Sequence, residues 1–351
     1  LRDPLHLLAS VRARDPRAIG RAITLVEDRA EAAEAILDLL DEECFEAATT
    51  LGITGPGGAG KSTLTDKIIR YYRAQGRRVG VVAIDPSSPI SGGALLGDRV
   101  RMMGHACDQD VVVRSMATRG RIGGLCAAAG AAIRIMATSG CNPVIVETVG
   151  VGQAEIDVVR LADLTVLVMA PGLGDDIQAM KAGLIELADV LVVNKSDNPA
   201  AEALAMEMEA VARERGRSLC RTCASEGKGV AELVETCERT VTSLRRSGSL
   251  DRRRQAGRRS EVLDWAWELL RPSLNAAMDV HGPIRGDPRE VARALLEKQG
   301  VVHKEHFHGK VSRTRGVGRS DPQEGAGKDE GAKPRAEDGF RPDGGTAGAP
   351  A

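Results

Sequence analysis

Between residue 49 and about residue 225, short apolar runs alternate with longer stretches in which apolar residues recur every three or four positions. The runs Leu51–Thr54, Val79–Ile84, Val111–Arg114, Pro143–Glu147, Leu164–Met169, Val190–Asn194 and Ser218–Thr222 predict strands. Most are β-branched and continuously apolar, the pattern of strands covered on both faces. The stretches between them predict helices, for instance Lys61–Gln75, closed by Gly76, and Ala200–Arg215, closed by Gly216. This alternation implies an α/β fold with a mostly parallel central sheet, right-handed crossovers and flanking helices. Ligands of such sheets bind at the carboxyl ends of the strands.

The flanks read as helix. Ala18–Leu25 and Ala30–Leu40 carry helical spacing and predict an antiparallel pair ahead of the sheet, with Pro16 tolerated near the first helix's start. After the sheet, Val230–Leu244 is amphipathic and Arg245–Arg259 reads as a basic, polar connector. Glu261–Leu270 carries Trp265 and Trp267, and Pro288–Gln299 closes the folded part. Residues 309–351 are rich in glycine and proline and poor in large apolar side chains, so a disordered tail is expected there. The expected organisation is an N-terminal helical extension (1–46), a nucleotide-type α/β domain (47–229), a C-terminal helical region (230–308) and the tail (309–351).

Composition narrows the class. Of 351 residues, 42% are hydrophobic but only 2% aromatic, so the core must be built from aliphatic side chains. A formal net charge of −1 gives no electrostatic case for nucleic acid or an acidic membrane. The seven scattered cysteines fit free thiols in a reducing compartment. No apolar run approaches a membrane span, and no signal-peptide core is evident, so the cytoplasm is the expected location. The sequence begins at Leu1 rather than Met.

The chemistry gathers after the first strand. Gly55-Pro56-Gly57-Gly58-Ala59-Gly60-Lys61-Ser62 fits the phosphate-loop pattern at every fixed position, and Thr63 continues into the following helix. Glycines let backbone N–H groups turn toward a phosphate, and the helix N-terminus adds partial positive charge. Lys61 can reach the terminal phosphates, and the Ser62 hydroxyl can join the shell of a Mg²⁺ ion. The fold class is therefore a P-loop NTPase.

Asn194-Lys195-Ser196-Asp197 follows the strand Val190–Val193. Guanine presents two adjacent donors, N1–H and the 2-amino group, and the Asp197 carboxylate can accept both. Lys195 can lie along the base, and Asn194 can tie this loop to the phosphate loop. Alone the tetrapeptide could be an ordinary strand exit; behind a phosphate loop it points to GTP and GDP. Cys223-Ala224 stands where GTPases carry a Ser-Ala whose backbone N–H touches guanine O6. Glu147-Thr148-Val149-Gly150 occupies the place of the D-x-x-G motif, with Gly150 able to sense the γ-phosphate. Asp85, Asp98, Glu147 and Ser62 together could supply the Mg²⁺ shell with its waters.

Four stretches then resemble one family: Ile84–Pro89, Gly92–Met102, Val144–Gln153 and Pro171–Gln178. They are similar to the MeaB/ArgK group of P-loop GTPases, over roughly residues 5–300, and the E-T-V-G-V-G-Q run from Glu147 is the most specific part. The resemblance implies a homodimeric GTPase, with dimerisation through the C-terminal helices, that chaperones an adenosylcobalamin-dependent acyl-CoA mutase. Such a protein gates cofactor loading and protects or rescues the mutase. It also implies phosphate, metal and catalytic roles for Lys61, Ser62, Asp85, Asp98 and Glu147, and switch segments at 85–103, 147–160 and 171–183. An alternative is a nickel metallochaperone GTPase. Its case would rest on Cys220-Arg221-Thr222-Cys223, which lacks a second cysteine pair, or on His303, His306 and His308 beside the tail. A small-molecule kinase on the same loop is a third reading, which the Asn194–Asp197 motif opposes.

Overall fold

The computed structural model describes residues 3–28, 32–85, 103–105, 107–117, 124–148, 154–172, 183–281 and 283–301. Asp98, Gly150, most of the three expected switch segments, the three clustered histidines and the expected tail lie outside them, as does the side chain of Asp85. Residues Leu1–Leu296 form one compact unit; of a second, Glu297–Ala351, only residues 297–301 are described.

All seven expected strands are present, at β1 (Thr50–Thr54), β2 (Val79–Asp85), β3 (Val111–Ala117), β4 (Val144–Thr148), β5 (Leu164–Met169), β6 (Val190–Val193) and β7 (Ser218–Arg221). They form one sheet in the order β3-β2-β4-β1-β5-β6-β7. Every pairing is parallel. The apolar runs are continuous because both faces are covered. In β4, Ile145 joins one hydrophobic cluster while Val144 and Val146 join the one on the opposite face.

Twelve α-helices surround the sheet among the described residues. They are α1 (Pro4–Arg12), α2 (Pro16–Glu27), α3 (Ala32–Asp38), α4 (Glu42–Ala47), α5 (Lys61–Ala74), α6 (Gly124–Thr138), α7 (Ala154–Leu161), α8 (Leu184–Leu187), α9 (Ala201–Glu214), α10 (Val230–Arg246), α11 (Ser249–His281) and α12 (Pro288–Lys298). Leu64, Ile68 and Tyr72 of α5 pack with Leu233 and Val241 of α10 on one face of β1. Ile19 and Ile23 of α2 pack with Ile133 and Met136 of α6 on the other side of the sheet.

Two flanking segments differ from expectation. The N-terminal region holds four helices rather than a pair. Asp3 and Asp41 cap α1 and α4 by accepting from Leu5 N–H and Cys44 N–H, local signals too short to show as periodicity. The basic connector is instead the first half of α11, which runs unbroken for 33 residues. Three of its arginines are spent on acidic partners. Arg254 forks onto Asp163 at 2.7 and 2.8 Å, and Arg253 onto Asp189 at 2.6 and 2.7 Å. Arg258 pairs with Glu42. Asp163 and Asp189 are buried just ahead of β5 and β6 and also accept the N–H groups of Thr50 and Thr165. This row of arginines and aspartates fixes the amino-terminal edge of the sheet, opposite the phosphate loop. Gly257 lets α11 approach closely, since a Cβ there would stand 2.8 Å from the Arg160 carbonyl of α7.

Candidate functional site

The site grows from the carboxyl end of β1. Parallel register sets Ile53 beside Glu147 of β4, and Thr54 beside Leu167 of β5, so the phosphate loop leaves the middle of the sheet with the metal-type carboxylate next to it. Gly60 caps α5 with φ of +90°, a left-handed conformation that disfavours side chains. A Cβ on Gly60 would also stand 2.4 Å from the Asn194 amide nitrogen. Gly57 and Gly58 are exposed at the outer turn of the loop. The N-terminus of α5 thus points its free N–H groups and its dipole at the loop's hollow.

Lys61 is 5% exposed, and its ammonium donates to the carbonyls of Gly55 at 2.7 Å and Pro56 at 3.0 Å. A cation is thereby held over the loop, where an anionic phosphate would meet it. Ser62 donates its hydroxyl to Glu147 Oε1 at 2.5 Å, joining the helix start to the end of β4. Glu147 is 2% exposed. Thr54, Thr65 and Thr148 bury their hydroxyls near these groups with no hydrogen-bond partner among the described residues. Buried hydroxyls of this kind normally face ordered water or an ion. The set of Ser62 hydroxyl, Glu147 carboxylate and threonine hydroxyls is a hard-oxygen environment, the donor chemistry that suits Mg²⁺ with its water shell.

The base-reading motif is assembled by Asn194. Its amide nitrogen donates to the Ala59 carbonyl at 2.9 Å. Its oxygen accepts from the Thr222 hydroxyl at 3.0 Å and from the Ala224 N–H at 3.1 Å. One buried side chain therefore joins the phosphate loop, the exit of β6 and the exit of β7. Lys195 adopts φ of +56°, which turns the chain so that Lys195 and Asp197 are exposed at the rim. The buried Cys223 thiol donates to Asp197 Oδ1 at 3.2 Å and so orients that carboxylate. Of the Cys223-Ala224 pair expected to offer a backbone N–H to guanine O6, the Ala224 N–H is occupied within the loop, donating to Asn194; the next backbone donor is that of exposed Ser225.

The structure adds groups that the motifs did not indicate. Thr222 is fully buried and completes the Asn194 junction, a role that only the position of β7 beside β6 reveals. Glu155 lies in the first turn of α7, directly after the loop that follows Glu147 and Thr148. Burial pushes its carboxyl up while the Lys61 ammonium pulls it back, so the two charges act on each other. Its signal in the sequence was an acidic residue two places beyond the glutamate-to-glutamine run. Cys220 and Cys223 do not act as a pair. Cys220 is in the core with Cys237, and Cys223 belongs to the base loop.

Comparison with known proteins follows the same lines. A family profile described as "Methylmalonyl Co-A mutase-associated GTPase MeaB" matches residues 19–279. A protein of Pyrococcus abyssi that is named as a GTPase is 43% identical over 302 residues, spanning 84% of this chain and 91% of its own. The mitochondrial methylmalonic aciduria type A homolog of Mus musculus is 33% identical over 301 residues, spanning 79% of this chain and 72% of its own. A crystal structure of an LAO/AO transport system kinase shares the fold, with a TM-score of 0.64 at 24% identity over 86% of this chain and 94% of that one.

Proposed function

The chain belongs to the family of methylmalonyl-CoA mutase-associated GTPases, and from that premise we propose that it is the GTP-driven chaperone of a cobalamin-dependent acyl-CoA mutase. In this reading GTP binding and hydrolysis gate the loading of adenosylcobalamin, and the same cycle protects or reactivates the mutase. The observation that carries it is the family match, which runs from the N-terminal helices to the end of α11 rather than stopping at the nucleotide domain. Most of the helices that flank the nucleotide domain are thus inside the match.

As a GTPase the chain binds guanine nucleotide and hydrolyses GTP. The proposed division of labour follows the geometry. The loop Gly55–Thr63 cradles the phosphates, Lys61 neutralises them, and Asn194, Lys195 and Asp197 take the base, with Cys223 holding Asp197 in place. Ser62, Asp85, Asp98 and Glu147 would hold Mg²⁺, whose chemistry is to neutralise charge developing on the phosphates. The residues' own contribution is preorganisation: Ser62 and Glu147 already touch, and Lys61 is already buried over the loop.

A homodimer is part of the same reading. Val262, Leu263, Trp267 and Leu269 are all exposed on α11, and large apolar side chains gathered in the open on one stretch of helix support an interface there. A second copy of α11 is the proposed cover. A cytoplasmic location is also proposed, supported by free thiols at all six cysteines whose side chains are described. Among the described residues, no helix is long and apolar enough to cross a membrane.

The test is single-turnover GTP hydrolysis with and without the purified cognate mutase. The residue after Gly150 is Val151, where Ras-like GTPases place the glutamine that orients the attacking water, so slow basal turnover is expected. The mutase should accelerate it, each tenfold gain corresponding to roughly 1.4 kcal/mol off the barrier. A fast basal rate that the mutase leaves unchanged would overturn the chaperone reading and leave the GTPase standing.

A further inference from the structure

A second opening lies at the far end of the sheet from the phosphate loop. It is a cleft of about 270 Å³ between the last turn of α5, the second half of α10 and the chain entering β1 and β4. Its floor is apolar, with Leu51, Pro143, Cys237 and Val241 all buried. Its rim is polar, and Arg77 and Arg245 are the cations there. Arg77 is committed. It donates to the Asn142 backbone and side-chain oxygens at 3.0 and 3.2 Å and to Glu238 Oε1 at 2.6 Å, and it lies 4.6 Å over the Tyr72 ring. Arg245 is not. Among the described residues it has no carboxylate partner, and one of its terminal nitrogens makes long bonds of 3.3 to 3.5 Å to Thr49 and the Ala47 and Ala48 carbonyls. The rest of its guanidinium is open at the mouth of the cleft.

Tyr72 supplies an independent observation. It is 2% exposed, yet its hydroxyl has no hydrogen-bond partner among the described residues. Buried hydroxyls normally have one. Burial, and then the charge of Glu238, push the phenol above its ordinary range, so it keeps its proton and can donate. Cys237, Glu238 and Arg77 surround it and also line the cleft, so its free O–H faces that space.

We propose that this cleft binds a small organic acid, its carboxylate taken by Arg245 and the Tyr72 hydroxyl and its short apolar body laid against Leu51, Pro143 and Val241. Charge sets the sign of the ligand. Glu238 offsets Arg77, which leaves Arg245 as the uncompensated charge of the lining. The C-terminal ends of α5 and α10 lie at this edge and weakly oppose an anion. A charge-assisted bond from a guanidinium is about twice as strong as a neutral one and outweighs them. Size limits the ligand as well, since drug-sized sites begin at roughly 300 Å³. Tyr72 stands eleven residues along α5 from Lys61, roughly 17 Å, so an occupant touches neither the phosphates nor the base of a bound nucleotide. The inference therefore stands apart from the chaperone reading.

The experiment uses the full-length protein saturated with GDP and Mg²⁺, so that the phosphate loop is filled. Sodium butyrate is titrated at constant ionic strength and followed by ligand-detected NMR. Butyramide, which lacks the charge, and inorganic phosphate, which lacks the apolar body, are titrated beside it. Butyrate should saturate one site with Kd on the order of a millimolar, and the other two should bind at least about tenfold more weakly. Tyr72→Phe and Arg245→Gln should each weaken butyrate by roughly five- to tenfold, and Arg245→Lys should recover part of that loss. Tyr72→Phe should melt and hydrolyse GTP like wild type, because the hydroxyl it removes has no partner in the fold. Should that variant fold poorly, Arg245→Gln still decides the matter. Butyrate that never saturates, or that binds both variants like wild type, overturns the site. Butyramide or phosphate binding as tightly as butyrate overturns the organic-acid assignment.

Discussion

Asn194 donates to the carbonyl of Ala59 at 2.9 Å, so the loop that reads the base and the loop that holds the phosphates are one hydrogen-bonded unit across 135 residues of sequence. Both ends of the nucleotide are therefore bound by parts that move together. Asn194→Ala would strand the buried Thr222 hydroxyl and Ala224 N–H, each at roughly 1–3 kcal/mol. GTP and GDP affinities should fall in parallel by at least about tenfold, and the unfolding midpoint should drop. Isothermal titration with both nucleotides, beside a thermal melt, checks this.

Asp197 should carry guanine selectivity. Asp197→Asn replaces an acceptor pair by one donor and one acceptor, which suits the 2-oxo group of xanthine instead. GTP should bind more weakly and XTP more tightly, and unchanged affinities for both would remove Asp197 from base recognition. Cys223→Ala removes only the thiol that orients Asp197 and should weaken GTP binding modestly, by about 1 kcal/mol or less.

Glu147→Ala should cost more in turnover than in GDP affinity. Its carboxylate is bonded to Ser62 beside the phosphate loop, where charge develops in the transition state. A drop in kcat of about a hundredfold with near-normal GDP binding is expected. Equal losses in both would indicate a folding defect.

Arg254→Met should destabilise the fold by about 3–5 kcal/mol, because Asp163 is left as an uncompensated buried charge. Adding Asp163→Asn should restore part of that loss, since the neutral amide still accepts from Thr50 N–H. Urea unfolding of the two variants measures the difference; equal stability of single and double variants would show that the pair is not coupled.

Thiol reactivity should divide sharply. Burial pushes the thiols of Cys141, Cys220 and Cys237 above their ordinary range, whereas Cys107 is exposed. With a raised pKa and no solvent access, the three stay protonated and unreactive at pH 8. Iodoacetamide labelling of the native protein, read by mass spectrometry, should modify Cys107 and spare these three until denaturant is added.

The sequence by itself determined the sheet and the identity of the chemistry. Strands covered on both faces are mostly apolar, so the central strands were legible as runs such as Leu164–Met169, matched at both ends, whereas the edge strand β7 is largely exposed and only weakly patterned. The phosphate loop and the Asn194–Asp197 motif were legible because each is a local backbone shape whose residue types are dictated by what they touch. The order of the strands was not, since pairing joins segments far apart, and with it went everything that depends on neighbours. Thr222 and Cys223 acquire their roles only because β7 lies beside β6. The arginines of Arg245–Arg259 read as a basic, polar connector, because a local pattern cannot reveal that Asp163 and Asp189 wait buried at the sheet's edge to receive Arg254 and Arg253. Tyr72 and Glu155 belong to the same class: each is an unremarkable letter in the chain, and tertiary packing alone set one in the cleft beside α10 and brought the other under the influence of Lys61.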